Sequence, residues 1–192
     1  MLQSKTHIST EKIAEEYLLV KAAQEKPEYF SQLYNKYYER ILQFVYQRLD
    51  SKDTAFDVTS QVFLKAMLNL PKYQFKGVPF SAWLYRIAIN ELNLLFREDK
   101  VQRAVNVELK DIHFLIADMR EEAGEEKYEP LLNAIAGLAE EHIQIIEMRY
   151  FEKRPFKEIS QILGITENNA KVRLYRILDK LKENITGKKS KN

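Results

Sequence analysis

PFKEISQILGITENNAKVRLYRILDKL, residues 155–181, is the stretch that decides the fold of the C-terminal part of this chain. Pro155 suits the first turn of a helix, where a missing backbone N–H removes no hydrogen bond. Gly164 follows the apolar end of that helix, at the place where a left-handed C-cap is favoured. Thr166 is a good N-cap for the next helix. Two helices joined by a short turn that contains glycine predict a helix-turn-helix over residues 154–183.

The second helix of this pair has a polar outer face of the kind that reads duplex DNA. Asn near the start of such a helix can bond adenine, Arg can bond guanine, and other cations can hold phosphates. From Lys171 to the end of the sequence there are eight basic and two acidic residues, which favours an anionic partner. An ordinary helical hairpin with a charged face is the alternative. The candidate duplex-binding residues are Asn168, Asn169, Lys171, Arg173 and Arg176, together with Arg154 and Lys157 from the first helix.

The N-terminal half shows the three- and four-residue apolar spacing of amphipathic helices. Gly and Pro are scarce, at five each, which favours long helices over strands joined by turns. Ser81 is the expected N-cap of the last of these helices. The spacing predicts helices over residues 28–49, 54–70 and 80–96, preceded by one over 11–26 that has few core residues.

Between residues 71 and 90, aromatic and basic side chains alternate along the sequence. Aromatic platforms with nearby cations suit single-stranded DNA, at about 1–3 kcal/mol per stacked base. Phe80 and Trp83 lie on the apolar face of a predicted helix and fit a core position better than a DNA-facing one. The candidate single-strand-binding residues are Tyr73, Phe75, Lys76, Trp83 and Arg86.

Composition argues against several classes of protein. The sequence has no cysteine, so a disulfide framework and thiolate metal sites are excluded. Its three histidines are far apart in sequence, so we expect no metal site. We also expect no cofactor and no catalytic residues. His113 and Asp118 lie in an acidic stretch, where solvated charge explains them better than acid–base chemistry. No apolar run approaches the roughly 18 residues of a membrane span, and we expect a cytoplasmic protein.

Two blocks of the sequence resemble regions of bacterial sigma factors, the subunits that direct RNA polymerase to promoters. LAEEHIQIIEMRYFEKRPFKEISQILGITENNAKVRLYRILDKLKE resembles region 4 of that family. FSQLYNKYYERILQFVYQRL, DVTSQVFLKAMLNLPKYQF and FSAWLYRIAIN resemble region 2. The blocks follow the family's order with a short linker and no third domain. That arrangement resembles the extracytoplasmic-function (ECF) group of the sigma-70 family.

The resemblance implies an all-α chain of two small helical domains joined by an acidic linker. Residues 101–130 contain four basic and eight acidic residues, in keeping with such a linker. The expected organisation is an N-terminal helical extension (1–26), a region 2-like domain (27–100), the linker (101–129), a region 4-like helix-turn-helix domain (130–186) and a basic tail (187–192).

The resemblance also implies roles for particular residues. The segment with Asp57, Thr59, Phe63 and Lys65 matches the part of region 2 that docks on the polymerase clamp helices. Residues 73–90, including Asn90, match the part that captures the melted −10 strand, and the second helix of the helix-turn-helix matches the −35 reader. Here Asn168-Asn169 replaces a small Gly-Thr pair common in the family, so the family's promoter preference does not carry over.

Three hypotheses for function follow. The first is a sigma initiation factor, a monomer when free, whose partners are the clamp helices and flap of core RNA polymerase, promoter DNA and an anti-sigma factor. The second is a sigma-like adaptor that another DNA-targeting protein recruits, with weak promoter reading of its own. The third is a simple helix-turn-helix regulator, which would dimerise on a palindromic site.

Overall fold

The computed structural model describes residues 10–49, 51–98 and 128–186. Helices form nearly all of these residues, and the predicted all-α class is confirmed. The contacts divide the chain into two compact units, one built mainly from residues up to 98 and the other mainly from residues after 128. Most of the predicted linker (101–129), the basic tail and the first nine residues lie outside the described residues.

The first unit is a bundle of four helices, in which the third packs against the second and the fourth, and the first also packs against the second and the fourth. The predicted helices are present with their ends shifted by a few residues. Ser51 Oγ accepts a hydrogen bond from Thr54 N at 3.2 Å, so this cap starts the third helix two residues earlier than predicted. Short 3-10 turns follow the first and third helices. The four helices are α1 (Thr10–Glu25), α2 (Phe30–Tyr46), α3 (Lys52–Asn69) and α4 (Phe80–Arg97).

Glu16, on α1, joins three helices of this bundle through one buried carboxylate. Only 5% of the residue is exposed. One oxygen accepts from Lys36 Nζ at 2.7 Å and from the Tyr37 hydroxyl, and the other accepts from Phe80 N at 2.7 Å. A carboxylate at a helix N-terminus bonds an otherwise unpaired N–H and faces the positive end of the helix dipole.

The expected capping role of Ser81 is therefore wrong. Pro79 precedes α4 and makes no side-chain cap, while Ser81 lies buried inside the first turn. The N–H that needed a partner, that of Phe80, is bonded by Glu16, which lies 64 residues away in sequence. A search for capping residues near the helix start has no means of finding a cap supplied by another helix.

The second unit gathers a core from short helices and from the last long helix. The first of them begins at Tyr128, two residues before the predicted domain boundary. The helix that begins at Glu140 continues into a π-helical turn, after which Lys153 has a positive φ of 55°. The elements are α5 (Tyr128–Ala136), α6 (Glu140–Ile146), the π turn (Glu147–Phe151), α7 (Phe156–Leu163) and α8 (Glu167–Thr186).

We expect Glu16→Ala to lower the free energy of unfolding of the first unit by about 2–6 kcal/mol. The change leaves the buried Tyr37 hydroxyl and Phe80 N–H without their acceptor, at ~1–3 kcal/mol each. Urea denaturation followed by the fluorescence of Trp83, the single tryptophan, measures this unit. Glu15→Ala, an exposed neighbour on the same helix, is the control. Equal denaturation midpoints for the two variants would contradict the role given to Glu16.

Candidate nucleic-acid interface

The helix-turn-helix of α7 and α8 has the turn that its sequence predicts. Gly164 has a left-handed φ of 69° after the end of α7. Thr166 Oγ1 accepts a hydrogen bond from Asn169 N at 3.2 Å and so caps α8. The inward face of α8 is fully apolar and buried, which leaves the polar face outward. That buried face consists of Ala170, Leu174, Ile177, Leu178 and Leu181.

The two asparagines at the start of α8 have different surroundings. Asn168 is exposed. Asn169 Oδ1 accepts a hydrogen bond from Arg173 Nε at 2.9 Å, and Arg173 also lies 3.4 Å from a carboxylate oxygen of Glu141. Asn169 and Arg173 therefore hold each other, while the side chain of Asn168 faces solvent at the first turn.

The basic side chains of this unit divide in the same way. Lys157 and Arg176 are exposed. Lys171 forms an exposed pair with Glu167 at 2.8 Å, an arrangement that stabilises little and exchanges readily. Arg154 has a different environment, because its guanidinium lies between two carboxylates.

Arg154 bonds Glu152 at 2.5 Å and also Glu158, and its side chain is only 11% exposed. Its backbone N–H donates to Met148 O at 2.8 Å. The residue thus ties the end of the π turn to the start of α7. Arg154 was assigned to DNA from the sequence, although both of these carboxylates lie within four residues of it in sequence.

Two apolar or aromatic residues share the outer face of α8, and sequence reasoning missed both. Val172 and Tyr175 are exposed, Tyr175 to 60%. Spacings of four and seven residues place them on the same helix face as Asn168. They were overlooked because only polar residues were considered as DNA readers. Their exposure is the signal that identifies them, since an apolar residue facing solvent on a recognition helix can meet a thymine methyl group.

In the first unit, a concave groove brings together five of the six predicted single-strand-binding residues. It lies between the end of α3, the following loop and α4. Lys65, Asn69 and Glu91 also line it. The predicted residues in its lining are Tyr73, Lys76, Trp83, Arg86 and Asn90.

Tyr73 contributes an aromatic ring to this groove. Its ring contacts Trp83, with centroids 4.9 Å apart, and meets the buried ring of Phe80 edge-on at 5.3 Å. Burial, and secondarily the negative charge of Glu16, raises the pKa of Tyr73 to about 12. The phenol is therefore protonated at neutral pH and is a hydrogen-bond donor there.

Phe75, the sixth candidate, is not in the groove lining. Its ring stacks on Tyr17 of α1, with centroids 4.5 Å apart and planes 20° apart. Phe75 is 37% exposed. The loop therefore presents two aromatic residues in two settings, Tyr73 in the groove and Phe75 against α1.

The residues expected to dock on polymerase also separate into two groups. Thr59 and Phe63 are buried, and Phe63 is surrounded by the rings of Phe30, Tyr34 and Tyr38. Both side chains therefore pack inside the bundle and do not form part of its exposed surface. Asp57 is exposed, and Lys65 bonds both carboxylate oxygens of Glu91 at 2.6 and 2.7 Å.

The outer face of α3 carries exposed residues that the resemblance did not single out. Gln61, Leu64 and Leu68 follow Asp57 at helical spacing, and Leu68 is 66% exposed. Leu64 and Leu68 were not among the residues assigned to docking from the sequence, which were Asp57, Thr59, Phe63 and Lys65.

The described parts of the chain lack two further features, a metal-binding cluster and a membrane-spanning helix. Within residues 10–49, 51–98 and 128–186, no cluster of three or more His, Asp or Glu side chains could hold a metal ion. In the same ranges, no helix combines the length and apolarity needed to cross a membrane.

Known proteins resemble this chain in both units. Residues 33–100 match sigma-70 region 2, and residues 128–181 match sigma-70 region 4. The ECF RNA polymerase sigma factor BldN of Streptomyces coelicolor is 26% identical over 149 residues, which span 77% of this chain and 56% of BldN. The RNA polymerase sigma factor YlaC of Bacillus subtilis is 26% identical over 157 residues, which span 80% of this chain and 90% of YlaC.

A solved structure shares the fold. CnrH, in complex with the cytosolic domain of CnrY, aligns over 90% of this chain and 97% of its own with a TM-score of 0.58 and 19% sequence identity. The two family regions occur in order along one chain. The relatives BldN and YlaC, which match along most of this chain, are RNA polymerase sigma factors. The chain therefore belongs to the sigma-70 family, as an ECF sigma factor with region 2 and region 4 domains that serves RNA polymerase in transcription initiation and is not an enzyme.

Proposed function

We propose that this sigma factor binds core RNA polymerase through the outer face of α3, captures the melted −10 strand at the groove of the first unit, and docks α8 on −35 duplex DNA. The observation that carries the proposal is the groove itself. It places the rings of Tyr73 and Trp83 beside the cations Lys76 and Arg86 and the amide of Asn90. Rings supply stacking and cations supply phosphate contacts, which is the chemistry of single-strand binding.

The outer face of α3 supports the polymerase-docking part of the proposal. Asp57, Gln61, Leu64 and Leu68 form one exposed stripe that mixes a carboxylate, an amide and two leucines. Protein interfaces combine an apolar centre with a polar rim in this way. Thr59 and Phe63 shape this face from beneath by fixing how α3 packs.

The outer face of α8 supports a −35 reading that favours A·T pairs. Asn168 is free of the pairing that holds Asn169, and an asparagine amide bonds adenine through N6 and N7. Val172, one turn further on, offers an apolar contact to a thymine methyl group. Arg173 is the arginine nearest to this turn, and it already bonds Asn169 and Glu141. It is therefore less available to bond guanine.

One observation favours a sigma-like adaptor as a second candidate. Arg154 and Arg173, two of the predicted DNA-binding cations, are bonded to carboxylates or amides of the chain itself. Fewer available cations mean weaker phosphate binding, since each phosphate contact contributes to affinity. A DNA-targeting protein partner would then decide where the holoenzyme acts.

Transcription in vitro tests the two candidates against each other. The chain is combined with core RNA polymerase from its native host and with genomic DNA fragments, and the start sites are mapped. Starts that share −10 and −35 sequences support the sigma factor that reads promoters by itself. Starts that appear only when a host protein is added, near that protein's binding site, support the adaptor.

We expect Leu64→Glu and Leu68→Glu each to lower the affinity for core RNA polymerase by about tenfold or more, as loss of an interface hot spot does. The labelled chain is titrated with core enzyme and followed by fluorescence anisotropy. Leu18→Glu, at an equally solvent-facing position on α1, is the control for added surface charge. If all three variants bind with the same affinity, α3 is not the docking face.

We expect Asn168→Ala to remove discrimination at one −35 base pair, at about 1–3 kcal/mol. Asn169→Ala is the matched comparison, because it disturbs Arg173 and so weakens binding without changing the preferred base at one position. Affinities for duplexes with every substitution at each −35 position measure both effects. A base preference that survives Asn168→Ala would remove Asn168 from the reading face.

We expect Arg176→Ala to reduce the slope of log affinity against log salt by about 1, because one phosphate contact is lost. Arg154→Ala should leave that slope unchanged and lower the free energy of unfolding by about 1.5–3 kcal/mol, as loss of hydrogen bonds to charged groups does. Salt titrations of duplex binding and urea denaturation followed by circular dichroism measure the pair. A reduced slope for Arg154→Ala would return that residue to the DNA interface.

A further inference from the structure

Helix α1 contacts the loop between α3 and α4 at its start, its middle and its end. This loop, residues 73–79, carries Tyr73 and Phe75 and is named here the capture loop. We propose that α1 is the positioning element of the capture loop and that Tyr17 orients Phe75 for stacking on an unpaired base, a role that rests on the −10 function proposed above. Residues 10–25 precede the sigma-70 region 2 match, which starts at residue 33, so that match assigns them no role.

The start of the capture loop is held through its backbone. Gln24 Nε2 donates to Leu70 O at 2.9 Å and to Tyr73 O at 3.0 Å. These carbonyls belong to the first residue of the 3-10 turn that leads out of α3 and to the residue that follows the turn. A single amide therefore fixes the direction in which the chain enters the loop and the position of Tyr73.

The middle of the capture loop is held through a ring. Tyr17 stacks on Phe75 at 4.5 Å, two helical turns before Gln24 and on the same face of α1. Lys21 Nζ lies 5.2 Å from the Tyr17 ring and adds positive charge beside the stack. Phe75 keeps part of its surface open to solvent, so a base can stack on a ring whose orientation is already fixed.

The end of the capture loop is held by the carboxylate that caps α4. Glu16, the neighbour of Tyr17, accepts the hydrogen bond of Phe80 N directly after the loop. A side chain that is ordered before binding loses less conformational freedom when it binds. The capture loop is attached to one helix at three points. It therefore loses less conformational freedom on capturing a flipped base than a loop that becomes ordered only in the complex.

The first experiment needs no DNA. Hydrogen exchange of the peptide that spans the capture loop is measured by mass spectrometry in the full chain, for the wild type and for Tyr17→Leu, Tyr17→Phe and Leu18→Ala. We expect exchange in Tyr17→Leu to be several-fold faster, whereas Tyr17→Phe, which keeps the ring, and Leu18→Ala, which is 68% exposed beside it, match the wild type. Unchanged exchange in Tyr17→Leu overturns the positioning role. Gln24→Met, which removes the two backbone bonds and keeps the side-chain size, gives the same decision if Tyr17→Leu does not fold.

The second experiment measures strand opening. Each variant is assembled with core RNA polymerase on a promoter mapped for the wild type, with 2-aminopurine in the −10 non-template strand. We expect Tyr17→Leu to lower the opening equilibrium by about fivefold or more, the lower end of what one base–aromatic stack contributes. Tyr17→Phe should restore opening, and affinity for −35 duplex should not change.

The outcomes separate this inference from the function on which it rests. If wild type opens the promoter and Tyr17→Leu opens it equally well, the orientation of Phe75 by Tyr17 plays no part in capture and the inference is overturned. If wild type opens no promoter with core enzyme, the proposed −10 function fails. In that case the exchange experiment still decides whether α1 positions the loop.

Discussion

The bundle of the first unit depends on one buried carboxylate. Glu16 must be desolvated to reach its place, and a buried charge is tolerated only when it is paired and hydrogen-bonded. Lys36, Tyr37 and the first N–H of α4 meet that requirement from two other helices. Because the carboxylate bonds all three groups at once, it fixes where α1 lies relative to α2 and to the start of α4. The groove and the capture loop are built on that arrangement.

Periodicity was enough to predict the helices and most of the apolar core, because a helical repeat states directly which face is buried. The turn at Gly164 and the cap at Thr166 were also predictable, because each depends only on residues that are neighbours in sequence. The cap of α4 was not predictable, because the residue that supplies it lies 64 positions away. The observed start of α3 differs from the predicted one for a local reason, because Ser51 caps the helix.

The fold brings most of the single-strand candidates together, whereas the docking candidates have mixed surroundings. Five of the six single-strand candidates line one groove, whereas Phe75 stacks on a helix that had been given no function. Thr59 and Phe63 match family positions for docking, but both are buried. Four exposed residues were missed, because an apolar or aromatic residue in a sequence is first assigned to the core. The fold shows that they lie on exposed helix faces: Leu64, Leu68, Val172 and Tyr175.

The attachment of the capture loop to α1 also bears on how this chain can be divided. The stretch that matches region 2 starts at residue 33, after α1 has ended. A fragment cut at that boundary would keep the stretch that matches region 2 but lose the partner of Phe75, both hydrogen bonds to the loop entry and the cap of α4. Modules exchanged between sigma factors at the family boundary would therefore be incomplete here. The compact unit is longer than the region that defines it by similarity, so α1 has to be included with region 2.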